Sequence, residues 1–181
     1  MFTSTLKSFP IIALALLLCD PVEPTDPQQE ELITTLSVEL MCPNSTASFS
    51  YVDIDGDGGA DPIVSVDSLD ANTVYSGSLS LLNESETPAE DITVEIFDEA
   101  DEHQFFFTSN GNSSFSYSDQ DNNGYPLGLS FELVTGDPGT EELTFTLRHL
   151  PAKGASGVSD GDITNAGGET DIEVVFEVVV Y

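Results

Sequence analysis

Ile172, Val174, Phe176, Val178 and Val180 stand at every second position of the segment Asp171–Tyr181, with Glu173 and Glu177 among the residues between them. An apolar period of two buries one side of an extended chain, because successive side chains of a strand point to opposite faces. The same period recurs along most of the sequence. It runs through Leu32, Thr34, Leu36, Val38 and Leu40, and through Tyr75, Gly77, Leu79 and Leu81. It returns at Leu127, Leu129, Phe131 and Leu133, and at Leu143, Phe145 and Leu147. Shorter runs lie at Phe49 and Tyr51, at residues 63–66, at Phe105–Phe107 and at Phe115–Tyr117. Roughly eight to ten strands separated by regular turn signals predict a mainly β fold, an antiparallel immunoglobulin-like β-sandwich. No repeat at a fixed period and no shift in composition marks a second domain.

One stretch breaks the period. Thr87-Pro88-Ala89-Glu90 reads as a capping box with Pro at the first helical position. Ala89, Ile92, Ile96 and Ala100 follow at helical spacing. These features predict one short helix over about residues 88–102. Glu99 and His103 fall on or beside its apolar stripe, flanked by Glu95 and Glu102. A carboxylate and an imidazole four apart on one helix face can share a cation.

Residues 1–18 contain Lys7 and an apolar run from Phe9 to Leu18. The run falls short of the roughly 20 residues that span a bilayer, and reads as a signal peptide. Leu16-Leu17-Leu18-Cys19 resembles the lipobox of bacterial lipoproteins, whose Cys is lipidated, although Leu18 stands where Gly, Ala or Ser is usual. Cleavage after Ala13-Leu14-Ala15 is the alternative. Residues 19–30, rich in Pro and carboxylates, then form a tether below a β-sandwich domain at 31–181. The expected location is the cell envelope, anchored in the outer membrane through an N-terminal lipid on Cys19, on its periplasmic or surface face. An acidic stretch directly after the lipid Cys also resembles the export signal of some surface-displayed lipoproteins. Cys42, beside Pro43, is then left as a lone thiol; an unlipidated Cys19 would be its disulfide partner.

Three Lys and Arg face 33 Asp and Glu, for a net charge of −30. With Lys7 in the signal peptide, only Arg148 and Lys153 remain as fixed cations of the domain. That balance excludes nucleic acid as a partner, since phosphate contacts need Lys and Arg. It also disfavours anionic lipid headgroups. It favours cations, a basic partner, or solubility through charge repulsion.

Three constellations carry ligand chemistry. Asp53, Asp55 and Asp57, followed by Gly58 and Asp61, match the opening half of a calcium loop, in which alternating carboxylates converge on a hard cation. Val64 stands where the bidentate Glu of a complete loop belongs, so calcium here would need ligands from elsewhere; a turn organised by Asp and Gly is the alternative. Asp119-Gln-Asp121-Asn-Asn123-Gly124 is a similar match with Ser130 in the Glu position, and reads as a tight turn. The third is a transition-metal set. His103 and His149 are the two histidines of the chain, and both fall on inward faces by periodicity. With Glu99, and Glu95 or Glu102 nearby, they would suit zinc or copper; the alternative is a capped amphipathic helix that ends in a hydrogen-bonded His103, with inward histidines serving as hydrogen-bonding residues and not as ligands.

No nucleophile elbow, HExxH, phosphate loop or CxxC occurs, which argues against an enzyme. The segments LLNESETPAEDITVEIFDEADEHQFFF and LRHLPAKGASGVSDGDITNAGGETDIEV, with the DGDGG loop, resemble a group of short acidic bacterial lipoproteins. That group often carries the label "type 1 periplasmic binding fold superfamily protein", which implies two α/β lobes; the strands counted above point to a sandwich instead. The resemblance implies no particular activity. The function expected is a non-catalytic binding module of the cell envelope that captures divalent metal ions and passes them to an outer-membrane receptor. The alternative is a structural or accessory interaction subunit of an outer-membrane complex.

Overall fold

The computed structural model describes residues 31–56 and 59–181. The signal peptide, Cys19 and the tether lie outside the described residues, as do Asp57 and Gly58. The alternating runs become strands. β1 (Thr35–Cys42), β2 (Ser45–Val52) and β3 (Ile63–Val66) form consecutive antiparallel pairs. β4 (Val74–Asn83) pairs with the other side of β1, and β5 (Glu90–Asp91) with the end of β4. β6 (His103–Ser109), β7 (Ser114–Tyr117), β8 (Ser130–Val134), β9 (Gly139–His149) and β10 (Glu169–Val180) complete the set. One sheet runs β3-β2-β1-β4-β8-β7, the other β10-β9-β6. The described residues form an antiparallel β-sandwich with one short α-helix.

The inner faces meet in an aromatic layer. Phe49 and Phe131 from the larger sheet approach Phe176 and Phe145 from the smaller one, with ring centroids 5.3 and 5.9 Å apart. Leu36, Val38, Leu40, Leu81 and Leu133 fill in from one side, Phe105, Leu143, Leu147 and Val178 from the other. Each such side chain contributes about 1.5–3 kcal/mol on burial. Along β6 the inward parity is His103, Phe105, Phe107, and along β9 it is Leu143, Phe145, Leu147, His149. Both histidines therefore end an inward row, at the same end of the sandwich.

The helix is shorter than predicted. α1 spans Ile92–Asp98, and Asp91 rather than Thr87 is its N-cap, its carboxylate accepting from Thr93 N. The reason is tertiary. Glu90 and Asp91 pair with Asn83 and Leu82 of β4, which holds the backbone extended up to the cap. Ile92 and Ile96 are buried as the stripe requires, while Val94 and Phe97 face solvent. The Gly-rich segment after β9 contains two short 3₁₀ turns, from which Val158 and Ala166 cover Phe106 on the outer face of β6. Among the described residues no helix is long and apolar enough to cross a membrane.

Candidate metal centre

His103 and His149 are directly opposed in the β6–β9 ladder. Their rings stack, with centroids 4.7 Å apart and planes 18° from parallel. Two carboxylates close over them. Glu31, in the segment leading into β1, places Oε1 3.0 Å from His103 Nε2 and Oε2 4.0 Å from His149 Nδ1. Asp171 places Oδ2 3.9 Å from His103 Nε2 and Oδ1 3.9 Å from His149 Nδ1. One ligand atom from each of the four residues lies within 4.8 Å of every other. A tetrahedral centre with bonds of about 2.0–2.1 Å needs ligand atoms about 3.3–3.5 Å apart, so the contacts at 3.9–4.0 Å would have to close by about 0.5 Å around an ion.

Backbone irregularity puts Asp171 there. The β10–β9 register shifts between Thr170 and Ile172, which leaves Asp171 as an extra residue. Strict alternation from Ile172 would turn Asp171 outward; the bulge re-aims it, and its side chain is fully buried. Beside it Gly168 packs on the end of β9. A Cβ at this glycine, whose φ is +69°, would meet the His149 carbonyl oxygen at 2.0 Å, so only glycine lets β10 begin so close to His149.

The protonation pattern of His103 follows from its neighbours. Nδ1 lies 3.2 Å from the Glu99 carbonyl, which can only accept, so Nδ1 carries a proton. Nε2 lies against the Glu31 carboxylate, also an acceptor. A ring held between two acceptors needs either a second proton or a cation at Nε2. Burial alone would favour neutral His103, yet the hydrogen bond and charge of Glu31 raise its pKa above the ordinary value. Burial likewise pushes Glu31 up, but His103 outweighs it and holds the carboxyl below its usual range. Both shifts favour the imidazolium–carboxylate form of the pair. Glu31 Oε2 and His149 Nε2 are buried without a hydrogen-bond partner, a costly arrangement that a bound ion would ease on the Glu31 side.

The sequence-predicted residues separate here. His103 and His149 come together. Glu99 does not join them through its carboxylate: it is the C-cap of α1 and offers its backbone carbonyl to His103 instead. This corrects the expected His103–His149–Glu99 set, because β6 begins at His103 and ends the helical spacing that would have aligned the two side chains. Glu31 and Asp171 take the place of Glu99. Asp53 and Asp55 serve their own turn, accepting from the Gly56 and Ala60 amides, and Asp61 is exposed. Among the described residues, none of the three joins a group of three or more convergent ligand side chains. Asp53 and Asp55 instead line a groove of about 450 Å³ that they share with Asp171. Asp119 and Asp121 form the expected turn: Asp121 accepts from the Asn123 and Tyr125 amides and pairs with buried Lys153 at 3.1 Å.

Comparison with protein-family models, with curated proteins and with solved structures returned no match.

Proposed function

We propose that this protein is a non-catalytic binding module of the cell envelope that captures a divalent transition-metal ion, zinc or copper, through Glu31, His103, His149 and Asp171. The convergence of two imidazole nitrogens and two carboxylates carries the reading. Two nitrogen and two oxygen donors suit borderline ions rather than calcium or magnesium, which prefer oxygen alone. The charge of the protein supports the same direction. Of the two fixed cations expected in the domain, Lys153 is buried on Asp121 and backbone carbonyls, and Arg148 donates to Gly167 and Gly168 carbonyls and to Thr170. An acidic surface raises the local concentration of cations. The signal-like residues 1–18 and Cys19 support lipid anchoring in the outer membrane, where a captured ion would pass to a receptor.

Isothermal titration of the purified protein with zinc tests the reading. Uptake of one ion per chain is expected, with a thermal midpoint that rises with zinc concentration. A 100-fold excess over Kd adds about 2.7 kcal/mol of stability. Zinc affinity unchanged by His103→Ala/His149→Ala would refute it. A second reading, an accessory subunit docking a basic partner, draws on Val94 and Phe97, exposed on α1 beside Glu90, Asp91 and Asp98. Salt-sensitive recovery of a basic envelope protein, lost in Phe97→Ser, would favour it.

A further inference from the structure

We infer that Glu102 is the positioning residue of this centre: its carboxylate accepts from the Nε2–H of His149 and keeps the proton on that nitrogen, so that the Nδ1 lone pair is aimed at the ion. The inference rests on the metal reading above and assigns a role to a residue outside the four ligands.

His149 uses its two ring nitrogens differently. Nδ1 faces Glu31 and Asp171, at 4.0 and 3.9 Å. Nε2 points away from them and meets the Glu102 carboxylate at 3.9 Å. A neutral imidazole carries one proton and one lone pair. With the proton on Nδ1, the ring would present N–H to the ion and cannot bind it. With the proton on Nε2, the ring donates toward Glu102 and Nδ1 becomes the ligand. At 3.9 Å the contact is longer than a hydrogen bond, and the Glu102 side chain, 36% exposed, has room to close it.

His103 shows the same logic in completed form, with Nδ1 donating to the Glu99 carbonyl and Nε2 facing the cluster. Glu99 and Glu102 belong to one turn, because the Glu102 amide donates to the Glu99 carbonyl at 2.8 Å. That turn is tied to the end of β9. The Leu150 amide donates to the Glu102 carbonyl at 2.6 Å. Leu150 follows His149 directly and holds φ at +51°, a left-handed conformation that a leucine rarely adopts. The strained residue thus bends the strand end onto Glu102 and keeps its side chain beside His149. A single turn between α1 and β6 orients both imidazoles, one through a carbonyl and one through a carboxylate. Such outer partners of ligating histidines fix the tautomer and raise the basicity of the ligand.

The test is ¹⁵N-histidine NMR of the zinc-loaded full-length protein, with zinc titrations of Glu102→Ala and Glu102→Gln. With two histidines in the chain, one His103→Ala spectrum assigns both. His149 is expected to bind through Nδ1 with Nε2 protonated, and His103 the reverse. Glu102→Ala should weaken zinc binding by about 10–100-fold. Glu102→Gln, whose side-chain oxygen still accepts, should stay within a few-fold of the parent, and neither substitution should shift the thermal midpoint of the zinc-free protein. Binding of His149 through Nε2, or an affinity untouched by Glu102→Ala, overturns the role of Glu102 and leaves the four-ligand centre standing. A parent protein that takes up no zinc overturns the centre itself, and this role with it.

Discussion

His103 and His149 face each other across the β6–β9 ladder with their rings stacked, and the Glu31 and Asp171 carboxylates meet the two ring nitrogens that point the same way. The pairing is a consequence of register. Each histidine ends an inward row of its strand, so the ladder that builds the aromatic core also delivers two imidazoles to one point. No loop has to carry them there, and positions on strands are held more rigidly than positions on loops.

The identity of the carboxylates separates this centre from the one the helical spacing suggests. Glu31→Gln and Asp171→Asn should each weaken zinc binding, by more than the about 10–100-fold attached to an outer-shell partner. Glu99→Gln should leave it unchanged, since Glu99 contributes its main-chain carbonyl alone. Equilibrium dialysis against zinc measures all three. Loss of affinity in Glu99→Gln, with Glu31→Gln unaffected, would return the ligand role to the helix.

Lys153 and Asp121 form a buried pair, with the ammonium 3.1 Å from the carboxylate. The ammonium also donates to the Ala100 and Pro126 carbonyls. Lys153→Met leaves the Asp121 carboxylate buried without its cation, and should cost about 3–5 kcal/mol in chemical denaturation. The pair also sets an acid response. Burial pushes the Asp121 carboxyl up, but the Tyr125 amide, the Lys153 ammonium and the Asn123 amide hold it below the ordinary 3.8. A folded-state pKa below the unfolded one contributes stability that is present above the unfolded value and disappears as pH falls through the folded value. Stability should therefore decline below pH 3.8, and Asp121→Asn should flatten that decline. Equal slopes in the two proteins would count against the pair.

The start of α1 gives a further contrast. Asp91→Ala removes the side chain that accepts from Thr93 N and should cost about 0.5–2 kcal/mol. Thr87→Ala, at an exposed position outside the helix, should change stability by less than about 0.5 kcal/mol. Thermal unfolding of the two variants compares them directly; the reverse order would place the cap at Thr87.

How much of this was legible in the sequence depended on whether the information was periodic. The strands and the inward aim of both histidines follow from alternation, a local property that needs no knowledge of neighbours. The helix core at Ile92 and Ile96 follows in the same way. Its start does not, because the pairing of Glu90 and Asp91 with β4 is a long-range contact that displaced an otherwise well-formed capping box. Asp171 was hidden by its bulge, which reverses parity at one residue, and no residue in the run announces the shift. Gly168, two residues from the bulge at the close approach to His149, is the nearest available signal. Glu31 closes an acidic run and resembles the tether before it; only its place ahead of the first strand hinted that it could fold back. Lys153 sits in a Gly-rich segment whose composition says nothing of its burial.

X-ray absorption at the zinc edge of the zinc-loaded protein reads out the ligand set of the proposed centre. Glu31, His103, His149 and Asp171 should give a first shell of four nitrogen and oxygen atoms at about 2.0–2.2 Å, with the outer-shell scattering of two imidazoles, reduced to one in His149→Ala. A first shell of oxygen alone, or one containing sulfur from Cys42, would contradict it.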